Sequence, residues 1–165
     1  MRTIVVGLGN PILSDDSVGI KAAALARVHL AGLPGVEVAE AYAGGLRLME
    51  AIAGFDRAVI VDAVKTGKYP AGTLLLFQPG RGDTRNLLCA HDSDLETSLG
   101  LGRELGLHLP DEIHILGVEA YDVENFSEEL SCRVQAALPA VVAEVVRICR
   151  PQARQLFAAA LPVAG

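Results

Sequence analysis

Short apolar runs rich in β-branched residues alternate along this chain with stretches of helical spacing, and that alternation restricts the fold more than any other feature. Thr3 to Val6 is a continuous apolar run ending in Gly7-Leu8-Gly9-Asn10-Pro11, and Ser14 to Leu30 then carries Val18, Ala22, Leu25 and Val28 at helical intervals. Val36 to Ala41 reads as a second strand, Gly45 to Phe55 as a helix, and Ala58 to Val61 as a buried third strand. Repeated units of this kind require a parallel sheet with helices on both faces. Only about ten residues, among them Gly67, Pro70 and Gly72, separate Asp62 from the next run, Thr73 to Phe77. A parallel crossover takes a dozen or more, so this strand is predicted to be antiparallel to its neighbour. Ser93-Asp94-Leu95-Glu96 has the form of a capping box opening a helix to about Leu105. Ile113 to Glu119 is the last strand, and Ser127 to Arg150 a long amphipathic helix interrupted by Pro139. The expectation is a three-layer α/β/α sandwich around a mostly parallel, mixed sheet of about five strands.

At 165 residues the chain suits one domain, read here as 1–150, with a poorly ordered extension at 151–165 whose Ala-rich sequence shows no packing pattern. A hydrophobic share of 51% supplies a core, and a net charge of −6 argues against a surface that tracks phosphates, so nucleic acid is an unsuitable partner. Ile4-Val5-Val6 is too short for a secretory core, and no stretch approaches the roughly 18 apolar residues of a membrane span. Cys89, Cys132 and Cys149 lack paired spacing, which predicts thiols in a reducing, cytoplasmic setting.

Gly7-x-Gly9 after the first strand invites a dinucleotide-binding reading, which fails on its mechanics. Ile12 stands at the third glycine position, and Asp15 and Asp16 open the helix where a pyrophosphate would need bare N–H groups. Two acids there repel a phosphate and attract a cation; they would equally serve to complement the helix dipole. Asp62 ends the third apolar run, at the carboxyl edge where α/β folds bind ligands, and the first strand leads Asp16 to the same edge. His91 precedes a helix that must start at that edge to return to a parallel final strand. Two carboxylates and an imidazole form an O,O,N set with open positions, suited to a divalent transition metal, although a solvated loop histidine is an equal reading. Glu40, followed by the small residues Ala43-Gly44-Gly45, and Glu119 add acids to this edge, each also readable as solvated. His29, His108 and His114 read as surface or strand-face residues. Cys89 lacks an orienting acid, and no G-x-S-x-G or H-E-x-x-H motif occurs.

The run Ile4-Val5-Val6-Gly7-Leu8-Gly9-Asn10-Pro11-Ile12-Leu13-Ser14-Asp15-Asp16-Ser17-Val18-Gly19 resembles the opening signature of the nickel-iron hydrogenase maturation proteases. The resemblance continues through Val61-Asp62-Ala63, Ala90-His91-Asp92 with Leu95, Ile115-Leu116-Gly117-Val118-Glu119 and Leu130-Ser131, covering about residues 1 to 150. It implies a cytoplasmic endopeptidase, expected as a monomer, that removes a C-terminal peptide from the hydrogenase large-subunit precursor once nickel is inserted. Two acids and a histidine bind metal in that family, matching Asp16, Asp62 and His91. The nickel is then held by the substrate, with zinc or cadmium able to take the site in vitro. The water-activating carboxylate would be Asp16 or Glu40, or the metal itself would polarise the scissile carbonyl. Glu40-Ala41-Tyr42-Ala43-Gly44-Gly45 departs from the family's usual acid and glycine-rich turn. A non-catalytic nickel-binding chaperone and a small-molecule hydrolase are the competing readings.

Overall fold

All six residues of β1, Thr3–Leu8, are buried, as only a strand covered on both faces can be. The computed structural model describes residues 1–77 and 93–150. After β1 come a 3-10 turn at Ser14–Ser17, α1 (Val18–Leu30), β2 (Val36–Ala41), α2 (Gly45–Ile52), β3 (Arg57–Val64), β4 (Leu74–Phe77), α3 (Ser93–Glu104), β5 (Glu112–Glu119) and α4 (Cys132–Cys149). The described strands form one five-stranded sheet in the order β2-β1-β3-β5-β4. The first four of these pair in parallel, and β4 lies antiparallel at the edge beside β5, as its short connection requires.

Alternation along the strands divides the core. Val5, Val59, Val61, Leu116 and Val118 pack on α1 and α4, whereas Ile4, Val6, Ala58, Ile60 and Ile115 pack on α2 and α3. The expected three layers follow. α1 sits unusually close to the sheet because Gly7 and Gly19 face each other: a Cβ on Gly7 would fall 2.3 Å from the Gly19 carbonyl oxygen.

Some details differ from expectation, α2 stopping at Ile52 rather than Phe55 and β3 running on to Val64. The last helix begins at Cys132 rather than Ser127, because Ser127 bridges Leu13 and its N–H donates to the Ile12 carbonyl at 3.0 Å. The helix also runs through Pro139 without interruption, proline costing it one internal hydrogen bond. Residues 151–165, expected as an extension, lie outside the described residues, as does the 78–92 loop.

Candidate active site

Two glycines bring the first acid to the sheet edge. The N–H of Gly9 donates to the Ala41 carbonyl, and a Cβ at Gly9, whose φ is +144°, would lie 1.9 Å from the Asp16 carbonyl oxygen. Only glycine lets the turn fold back over the end of β1. The Asp16 carboxylate is half-buried and accepts from the Asn10 N–H at 2.8 Å. A Cβ on Gly19 would meet the carbonyl oxygens of Leu8 at 2.3 Å and Val61 at 2.2 Å, so the start of α1 rests on the carboxyl ends of both β1 and β3. Val61 precedes Asp62.

Asp62 is 3% exposed and lies two residues before the end of β3 at Val64, slightly inside the strand rather than at its end. It alternates with Ala58 and Ile60 and therefore shares their side of the sheet, the side of α2 and α3. Its Oδ1 accepts from the Ala63 N–H at 2.8 Å. Asp16 and Asp62 thus both stand at the carboxyl edge, one on the turn after β1 and the other in the adjacent parallel strand β3. His91 lies outside the described residues. The segment after α3 returns to the amino edge, where the Gly54 N–H donates to the His108 carbonyl and the Asp111 N–H to that of Asp56. Consequently α3 starts, at Ser93, on the edge that holds the two acids. Among the described residues no three metal-ligating side chains come together.

Glu40 is placed differently. It alternates with Val36 and Val38, which pack on the α1 side, and its carboxylate accepts from the Tyr42 hydroxyl at 2.9 Å and stands 3.9 Å from Arg27. Hydrogen bonding to this carboxylate raises the pKa of the exposed Tyr42 hydroxyl. Ala43, Gly44 and Gly45 line an open cleft of about 520 Å³ whose other wall is Thr97, Ser98 and Leu101 of α3.

Two buried acids have partners that sequence reading missed. Asp15, with no exposed surface, accepts from the N–H groups of Tyr121 (2.9 Å), Asp122 (3.0 Å) and Ser131 (2.7 Å) and from the Ser131 hydroxyl (2.8 Å). Nothing in Ser-Asp-Asp separates the roles of its two acids. Glu119, readable as solvated, is 2% exposed and accepts from the Thr66 hydroxyl at 2.7 Å and the Gly67 N–H at 2.9 Å, fixing the turn after β3. Its place at the end of a strand, directly after Val118 and before Ala120, was the available signal.

His29 and His108 are exposed, the latter 3.2 Å from Asp56. His114 is a strand-face residue whose pKa is lowered, chiefly by burial. Cys132 is exposed, whereas burial pushes the Cys149 thiol up to about 11. Cys89 lies outside the described residues.

A family model described as hydrogenase maturation protease, HycI, matches residues 21–148. The hydrogenase 2 maturation protease of Escherichia coli K12 is 26% identical over 150 residues, covering 87% of this chain and 90% of its own. The hydrogenase expression/formation protein HupD of Rhizobium leguminosarum bv. viciae is 23% identical over 152 residues, 90% of this chain and 74% of its own. Among solved structures, the hydrogenase maturating endopeptidase HybD from E. coli superposes with a TM-score of 0.73 at 22% identity, covering 90% of this chain and 91% of that one. That likeness is one of fold.

Proposed function

The chain belongs to the hydrogenase maturation protease family and is an endopeptidase of hydrogenase maturation; within that activity, we propose that it reads nickel already inserted in the large-subunit precursor before removing the C-terminal extension. Asp16, Asp62 and His91 take open positions on the nickel, which arrives as part of the substrate. The scissile peptide crosses the cleft beside Ala43-Gly44-Gly45. One carboxylate accepts a proton from water, the water oxygen adds to the scissile carbonyl, and the leaving amine departs with a proton.

The observation that carries this reading is Asp62, a carboxylate 3% exposed within a parallel strand beside the turn that bears Asp16. Asp16 is the better base. Glu40 is already engaged by Tyr42 and Arg27 on the α1 side of the sheet. No helix among the described residues is long and apolar enough to cross a membrane.

Mass spectrometry of a nickel-loaded large-subunit precursor, before and after incubation with the protein, tests the proposal. One new carboxyl terminus is expected, with no cleavage of the metal-free precursor. Equal cleavage of both forms, with nickel shown to be absent from one, would mean that recognition reads peptide alone.

A further inference from the structure

We propose that Asp15 is a positioning residue for Asp16: its carboxylate bolts the turn that carries Asp16 to the loop between β5 and α4, and thereby sets where the Asp16 carboxylate stands. The inference rests on the assignment of Asp16 as a metal ligand and goes beyond it.

Three observations converge. A carboxylate with no exposed surface is tolerated only when its lone pairs are filled, and here four donors from Tyr121, Asp122 and Ser131 engage both oxygens. Fixing both oxygens fixes the rotation as well as the place of residue 15, and so the exit direction of the chain into residue 16. The loop reciprocates, since the Asp15 N–H donates to the Asp122 carbonyl at 2.9 Å and the Ser14 N–H to that of Ser127 at 2.7 Å.

The third observation is strain. Ser14 has φ +44°, the one non-glycine residue at positive φ among those described. Such a conformation is unfavourable and persists only where its surroundings enforce it. Its carbonyl accepts from the Ser17 hydroxyl at 2.7 Å, closing the turn from the other side. The loop is itself braced. Asp122 accepts from the N–H of Glu124, then from the side chain and N–H of Asn125, which lower its pKa. A rigid loop holds a strained turn through one carboxylate, and the residue next to that carboxylate is Asp16.

The test measures Ni²⁺ binding by calorimetry and the Co²⁺ absorption spectrum on the full chain, for the parent, Asp15→Asn, Asp16→Asn and the double variant. An amide at position 15 would turn its NH₂ toward backbone donors and break the clasp. Asp15→Asn is expected to weaken Ni²⁺ about 10- to 100-fold, the usual effect of losing a group that orients a ligand, and to change the Co²⁺ spectrum. In the Asp16→Asn background the same substitution is expected to change neither, because its effect travels through residue 16. Folding is checked by thermal melts followed by circular dichroism. Should Asp15→Asn not fold, Ser131→Ala removes one donor and is expected to weaken Ni²⁺ a few-fold, again only with Asp16 present. Unchanged affinity and spectrum in the folded variants, or an equal loss without Asp16, would overturn the inference alone. A parent that binds no Ni²⁺ would overturn the ligand set itself.

Discussion

Gly19→Ala should destabilise this protein even though alanine is the better helix former. Gly19 lies in the first turn of α1 with φ outside the positive region, so backbone conformation does not demand glycine there. Packing does. The added Cβ would sit 2.2 Å from the Val61 oxygen, 2.3 Å from the Leu8 oxygen and 2.9 Å from the Leu8 nitrogen, all backbone atoms of two central strands. No rotamer change relieves them. Reaching carbon contact distances of about 3.5 Å requires the helix to lift by more than about 1 Å, opening a gap under Val18, Ala22, Ala23 and Ala26, none of which exposes surface. Overpacking of this kind costs about 3 kcal/mol at the upper end of its usual range, against a gain of about 1 kcal/mol in helix propensity. The net loss of about 2 kcal/mol corresponds to a Tm lower by about 4–8 °C for a chain of this size. Gly100→Ala is the control: it lies inside α3 and a Cβ there meets nothing within 4 Å, so propensity alone should raise Tm by about 2–4 °C. Thermal melts followed by circular dichroism read both. If Gly19→Ala melts at or above the parent temperature, the close approach of α1 to the sheet is not what positions the carboxyl edge.

Asp16→Asn, Asp62→Asn and His91→Ala should each abolish precursor shortening, seen by mass spectrometry, while circular dichroism shows the fold largely intact. NAD and ATP should show no micromolar binding in calorimetry, since Ile12 and the Asp15-Asp16 turn fill the space a pyrophosphate needs. His114 has its pKa lowered mainly by burial, with Glu112 4.0 Å away and its Nδ1 lacking a hydrogen-bond partner among the described residues. The unfolded chain therefore binds this proton more readily. The His114 contribution is complete above its unfolded value of about 6.5 and declines as pH falls below it, so His114→Gln should lose less Tm than the parent between pH 7 and 5. Truncation after Arg150 should preserve Tm and activity, because α4 completes its buried face by Cys149.

Much of this architecture is legible because strand periodicity is local. Val36–Ala41 shows its bounds in six residues, and the short span after Asp62 dictates an antiparallel neighbour through chain length alone. Asp62 is legible too, as an acid where an apolar strand should continue. Asp15 is not. Its partners stand 106 to 116 positions away, and nothing near it announces that a loop will close over it. The same long-range pairing removes Ser127 from the last helix, where local spacing alone would put it. Glu40 is legible in position, near the strand end, but not in direction, since alternation turns it to the α1 side.

The clasp between the amino-terminal turn and the β5–α4 loop also bears on how the protein is made. During translation β1 and its turn emerge first, yet the donors that satisfy the Asp15 carboxylate include Ser131 and so appear only when most of the chain has been synthesised. Until then Ser14 has no reason to hold its unfavourable φ, and Asp16 stands on an unpinned turn. A nascent chain thus has both acids but no fixed arrangement of them. If cutting needs the arrangement that this clasp gives Asp16, competence follows the synthesis of Ser131 rather than that of β1.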